Sequence, residues 1–240
     1  MKEQAQNDSN FDTLSLRSSM WRDLQEGNAK LVCKTCESAK VVYIQKGTVE
    51  PPWELWARIF QWLGRAPATQ EDPNPKWRIF WFPSEMKRQY PPVGEEVGPS
   101  SINGGYSYAC RSDSIVIYRK EEATRVLIHE ILHAACCDPK TNVLSLREAN
   151  TETWAELLLV ALLSKGSERE AQRLWEIQSQ WIANQNEILR SRFGILGPDD
   201  YAWRYTLGRE YILDSLKIDL PSAEKVKTRS SRLTSPNLYP

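Results

Sequence analysis

The sequence is most informative where it is sparse. Among 240 residues there are two histidines, three methionines and no excess of charge, since 31 basic side chains balance 31 acidic ones. A net charge of zero exerts no general pull on phosphate backbones or anionic lipid, so no specific nucleic-acid partner is expected. Long apolar runs are missing as well. The greasiest stretch, 154–163, is ten residues long and contains Glu156, whereas a bilayer span needs ~18. The polar opening MKEQAQNDSN has no apolar core of a secretory signal, which predicts an intracellular, cytoplasmic chain with no secretory signal and no transmembrane segment. Five cysteines are an odd number, and without a signal they predict reduced thiols rather than a disulfide framework. No internal repeat is visible.

What is present is the composition of a folded protein: 41% apolar, 26% charged and ten tryptophans, enough for one sizeable core with a small appendage. Residues 1–28 are polar without an apolar period and are expected to be flexible. Residues 29–75 hold a CxxC (Cys33, Cys36), then the strand-like VVYIQ, then WELWARIFQWLG, whose apolar positions recur at helical spacing after Pro51 and Pro52. A Pro-, Asn- and Asp-rich linker over 65–75 places the start of the main domain near Lys76, and this domain is expected to run over 76–220. It opens with WRIFWF as a strand, continues through a long loop, and pairs INGGYSYAC with SIVIYR as strands.

Four helices are then expected, over about 120–137, from Ser145 to about 165, from Ser167 to about 193, and from about 198 to 217. Ser145 with Glu148 and Ser167 with Glu170 read as capping boxes. Residues 221–240, with four bases and one acid, are expected to form a flexible basic tail. That tail and the Trp-rich helix are the candidate sites for a protein partner.

The chemistry concentrates in His129-Glu130-Ile131-Leu132-His133, inside the apolar VLIHEILHAA. Residues four apart on a helix share a face, so both imidazoles can reach one metal ion, and Glu130 sits beside it to take a proton from water. With two histidines and this composition, chance gives such a pattern roughly once in a thousand sequences. Two satisfied core histidines and a surface glutamate are the bland alternative. The motif resembles that of the zincin metallopeptidases. The resemblance implies an α+β zincin-like fold over about 77–217, a small mixed sheet followed by a helical half, with Zn2+ as cofactor and a polypeptide as substrate.

The resemblance also implies a third protein ligand, which cannot be a histidine. The metzincin pattern fails, because Cys136 and Pro139 stand where that subclass has its Gly and its ligand. The gluzincins instead take a Glu from a following helix, within N-E-x-x-x-D in thermolysin-like members. Thr151-Glu152-Thr153-Trp154-Ala155-Glu156 resembles that motif, with Thr for Asn and Glu for Asp. Glu148, Glu152 and Glu156 form one i, i+4 row. With Glu148 assigned to its capping box, Glu152 is the expected ligand. Glu156, at the edge of an apolar run, is expected to bond the second nitrogen of His129. Cys110 is an alternative ligand by analogy with deformylase-like enzymes, although YACRS does not reproduce their signature.

An oxyanion would need a donor, and Tyr205 and Arg209, read as one helical row with Tyr201, are the candidates beside the plainer reading of a packed Tyr and a surface Arg. The glycines Gly104 and Gly105 suit an edge strand that pairs with an extended peptide, or else a simple hairpin turn. Cys33 and Cys36 make half a zinc knuckle with no second half, so free thiols are expected there. The functional expectation is a zinc metalloendopeptidase with Glu130 as general base. An inactive zincin-shaped binding or assembly protein and a zinc amidohydrolase for non-peptide amides are the alternatives.

Overall fold

The computed structural model describes residues 1–7, 10–67 and 75–238. The chain divides into two compact units, Met1–Met86 with Asn103–Cys137, and Lys87–Ile102 with Asp138–Pro240. The architecture is α+β and zincin-like: a small mixed sheet, then a helical region that begins with the helix carrying the His129-Glu130-x-x-His133 motif.

The first unit is built on strands β1 (Lys30–Thr35), β2 (Ala39–Gln45), β3 (Trp77–Ser84), β4 (Gly105–Tyr106) and β5 (Ile115–Arg119), in the order β1-β2-β3-β5-β4. β2, β3 and β5 run parallel, while β1 and β4 are antiparallel edges. Period-two alternation sends Trp77, Ile79 and Trp81 to one face and Phe80 and Phe82 to the other. On the first face, Trp56 of helix α3 (Trp53–Leu63) lies 5.5 Å from Trp81 and donates its indole N–H to Thr124 Oγ1 at 2.9 Å. Thr124 belongs to helix α5 (Ala123–Ala134), so α3 and α5 share that face. The Trp-rich segment is therefore core, although Trp62 remains exposed.

The opposite face is covered by the stretch expected to be flexible. Helices α1 (Lys2–Gln6) and α2 (Leu16–Gln25) form there, and Ala5, Leu16 and Met20 pack with Ile44, Phe82, Val116 and Tyr118. The expectation for 1–28 is thus corrected. A few side chains with no apolar period do the ordering: Asp12 accepts hydrogen bonds from the backbone N–H groups of Leu16 (2.9 Å) and Arg17 (3.0 Å) and pairs with the Arg17 guanidinium, which also donates to Tyr106 at 2.7 Å. β1 was not anticipated, because its exposed edge position leaves little alternation to read. The linker expected over 65–75 lies mostly outside the described residues.

The second unit contains α4 (Pro99–Ile102), α6 (Leu144–Leu163), α7 (Glu168–Phe193), a 3-10 turn (Tyr201–Tyr205) and α8 (Leu207–Ser215). Ser167 caps α7 as expected, accepting the Glu170 N–H at 3.3 Å. Gly208 lets α8 approach α6 closely, since a Cβ there would stand 2.6 Å from that of Ala149. The expected fourth helix is broken at Thr206 (φ −132°, ψ −90°) into the 3-10 turn and α8, so Tyr205 and Arg209 do not form one helical row.

The segment 221–238 is not a free tail. The side-chain amide of Gln178 donates to Leu233 O (3.0 Å), Gln185 and Trp181 donate to Arg232 O (2.6 and 2.9 Å), and Leu233 is buried. The count of bases misled because this segment is held through its main chain. Among the described residues no helix is long and apolar enough to cross a membrane.

Candidate metal centre

Every residue of α5 is buried, which leaves no solvated face for its two histidines. His129 and His133, one turn apart, bring their Nε2 atoms to 3.0 Å with the ring planes at 82°. Two neutral imidazole nitrogens at that distance aim two lone pairs at one another unless a proton or a cation stands between them. Ligands ~2.0–2.1 Å from a tetrahedral zinc lie about 3.3 Å apart, close to this spacing.

Glu130 is also buried, and its Oε2 accepts a hydrogen bond from Ser107 Oγ at 2.8 Å. Gly105 is required beside it, because a Cβ there would meet Val126 Cγ1 at 2.6 Å, Val116 O at 2.7 Å and Glu130 Oε1 at 3.3 Å. The chain is fastened to α5 again three residues after Ser107. Cys110 N donates to His133 O at 3.0 Å, and Cys110 is disulfide-bonded to Cys136, just beyond the helix. This bridge corrects the expectation that all thiols are reduced and removes Cys110 as a metal ligand. Composition cannot foresee it, since the partners are 26 residues apart and meet only when β4 lies against α5. Cys33, Cys36 and Cys137 are free.

The carboxylates come from α6. Its first residue is Leu144, so Ser145 lies inside the helix, and the residue preceding it, Val143, makes no side-chain cap. The capping box assigned to Ser145 and Glu148 therefore does not form. His129, His133 and Glu148 each offer one ligand atom, and these atoms lie within 4.8 Å of one another. Glu152, the ligand expected from the sequence, is not in that group. The third carboxylate of the row, Glu156, receives Arg209 Nη1 at 3.4 Å, with the two side chains 2% and 0% exposed.

Two imidazoles and one carboxylate are the donor set of a catalytic zinc that keeps an open position. His129, Glu130, His133 and Glu148 match the HExxH gluzincin arrangement, the zinc site typical of metalloendopeptidases, and their chemistry is that of a zinc hydrolase.

The two oxyanion candidates stand differently. Arg209 is fully buried and gives Nη1 to Glu156 and Leu233 O (3.0 Å) and Nη2 to Gln185 Oε1 (2.8 Å). Those bonds are structural. Tyr205 is held protonated well above the usual tyrosine range, first by burial and then by the negative charge of Glu148. Sequence reasoning considered Glu148 but dismissed it, and missed Ser107 altogether. The place of Glu148 in the i, i+4 row with Glu152 and Glu156 was the available signal for the first, while nothing in the sequence signalled the second. Comparison with known proteins gave no matching family model, no matching curated protein and no matching solved structure.

Proposed function

We propose that this protein is a zinc-dependent endopeptidase acting on polypeptide substrates, with Glu130 as the general base. The observation that carries the reading is the meeting of His129, His133 and Glu148 at one point, with Glu130 next to the first imidazole in a buried helix. Zinc, when bound, polarises a carbonyl and makes water more acidic. The protein's own residues handle the proton. Glu130 accepts it from the attacking water as the new C–O bond forms, and returns it to the amide nitrogen as the C–N bond breaks. Tyr205, which stays protonated near Glu148, is the donor we assign to the developing oxyanion. Arg209 is left with a bracing role, because its bonds within the second unit already occupy it. The edge position of β4 supports pairing with an extended peptide.

The test is turnover of a peptide library by the purified protein, blocked by a chelator and restored by zinc. Glu130→Gln should retain zinc and lose ~10²–10⁴-fold in turnover. Undiminished cleavage by that variant would remove Glu130 from the mechanism. A zinc-loaded wild type that cleaves nothing would favour the binding-protein alternative.

A further inference from the structure

Ser107 has no place in the zinc motif, yet its hydroxyl faces two acceptors on one residue: Glu130 Oε2 at 2.8 Å and the Glu130 main-chain carbonyl at 3.0 Å. The backbone around it is fixed on both sides. Gly105 and Tyr106 pair with Ile117 and Val116 of β5, and Cys110 is tied to α5 through the His133 carbonyl and the bond to Cys136. A hydroxyl held this firmly between two oxygens of the same residue is a clamp on that residue's carboxylate.

We propose that Ser107 is a positioning residue for Glu130, an inference that rests on the peptidase reading above. By holding Oε2, Ser107 fixes the plane of the carboxylate and presents Oε1 on the side that Gly105 keeps uncrowded. The main-chain carbonyl of the same residue, 3.0 Å from the hydroxyl, anchors Ser107 from its other side. The carboxylate is thereby oriented before a substrate arrives, so little has to reorganise during the cycle.

The experiment compares wild type, Ser107→Ala and Ser107→Thr on a fluorogenic peptide that the wild type cleaves, together with zinc content and crystal structures. Ser107→Ala should keep its zinc, lower kcat about 10–100-fold and leave KM nearly unchanged. Its Glu130 carboxylate should be displaced, and Ser107→Thr, which restores a hydroxyl, should recover most of the rate. An unchanged kcat in Ser107→Ala, or equal losses in the two variants, would overturn the clamp. If the wild type binds zinc but cleaves no peptide, the peptidase reading fails alone, and the crystal structures still decide: a Glu130 carboxylate in place without the hydroxyl refutes the role of Ser107, and a displaced one supports it.

Discussion

Glu130 in the first unit and Glu156 in the second are both buried carboxylates, and each unit satisfies its own differently. Glu130 takes a hydrogen bond from a neutral hydroxyl, that of Ser107. Glu156 takes the guanidinium of Arg209, which further bonds to Gln185 and Leu233 fix in place. A hydroxyl can donate to a carboxylate or accept from a carboxylic acid, whereas a guanidinium only donates and favours the charged form. A partner of the first kind suits a group that must gain and lose a proton. One of the second kind suits a brace. The contrast also bears on the glutamate row of α6, where the deepest member is committed to a cation and the first meets the imidazoles.

The sharpest way to break this comparison is to remove members of that row separately. Glu148→Ala should lose its zinc on dialysis and with it all turnover, while Glu152→Ala should retain both. Metal analysis of the two proteins reads the result, and the reverse outcome would return Glu152 to the ligand set. Next in size is the brace. Arg209→Met leaves a buried carboxylate without its cation and should cost about 3–5 kcal/mol in urea unfolding, most of it recovered in a Glu156→Leu, Arg209→Met double variant. If the single and double variants were equally unstable, the pair would not be acting as a unit.

The Cys110–Cys136 bridge closes a loop across 26 residues. Its replacement by two serines should cost about 3 kcal/mol, measured by the same unfolding experiment without reductant. The smallest effect concerns buried tyrosines. Burial pushes Tyr106 up to about 12 and raises Tyr90 as well. In the unfolded chain these groups release their protons near pH ~10, so the folded state binds more protons above that value. Their contribution is therefore complete below about pH 10 and is lost as pH rises through about 12. The urea midpoint should fall over that window, and less steeply in Tyr106→Phe.

Much of the first unit was legible in the sequence because its physics is periodic. Apolar and aromatic runs in WRIFWF and SIVIYR marked two inner strands, spacing in WELWARIFQWL marked a helix, and the i, i+4 spacing of the histidines marked a metal face. What escaped depends on single side-chain bonds, one of them local, with Asp12 ordering α2, and two between distant positions, with Ser107 reaching Glu130 and Cys110 meeting Cys136. The third ligand was misjudged through a boundary shift of two residues. A helix starting after Ser145 would engage Glu148 as a cap, but the helix starts at Leu144, and it is Glu148 that meets the two imidazoles. A local motif with two plausible uses cannot choose between them without its tertiary setting.

The way 231–235 is held has a bearing on biosynthesis. Gln178, Trp181, Gln185 and Arg209 find acceptors or donors on main-chain groups of Arg232, Leu233 and Ser235. A nascent chain must therefore be translated through Ser235 before those polar groups of α7 and α8 can find their counterparts. That short stretch acts as the latch of the helical unit, and a polypeptide ended at residue 220 would leave polar side chains of α7 without these acceptors.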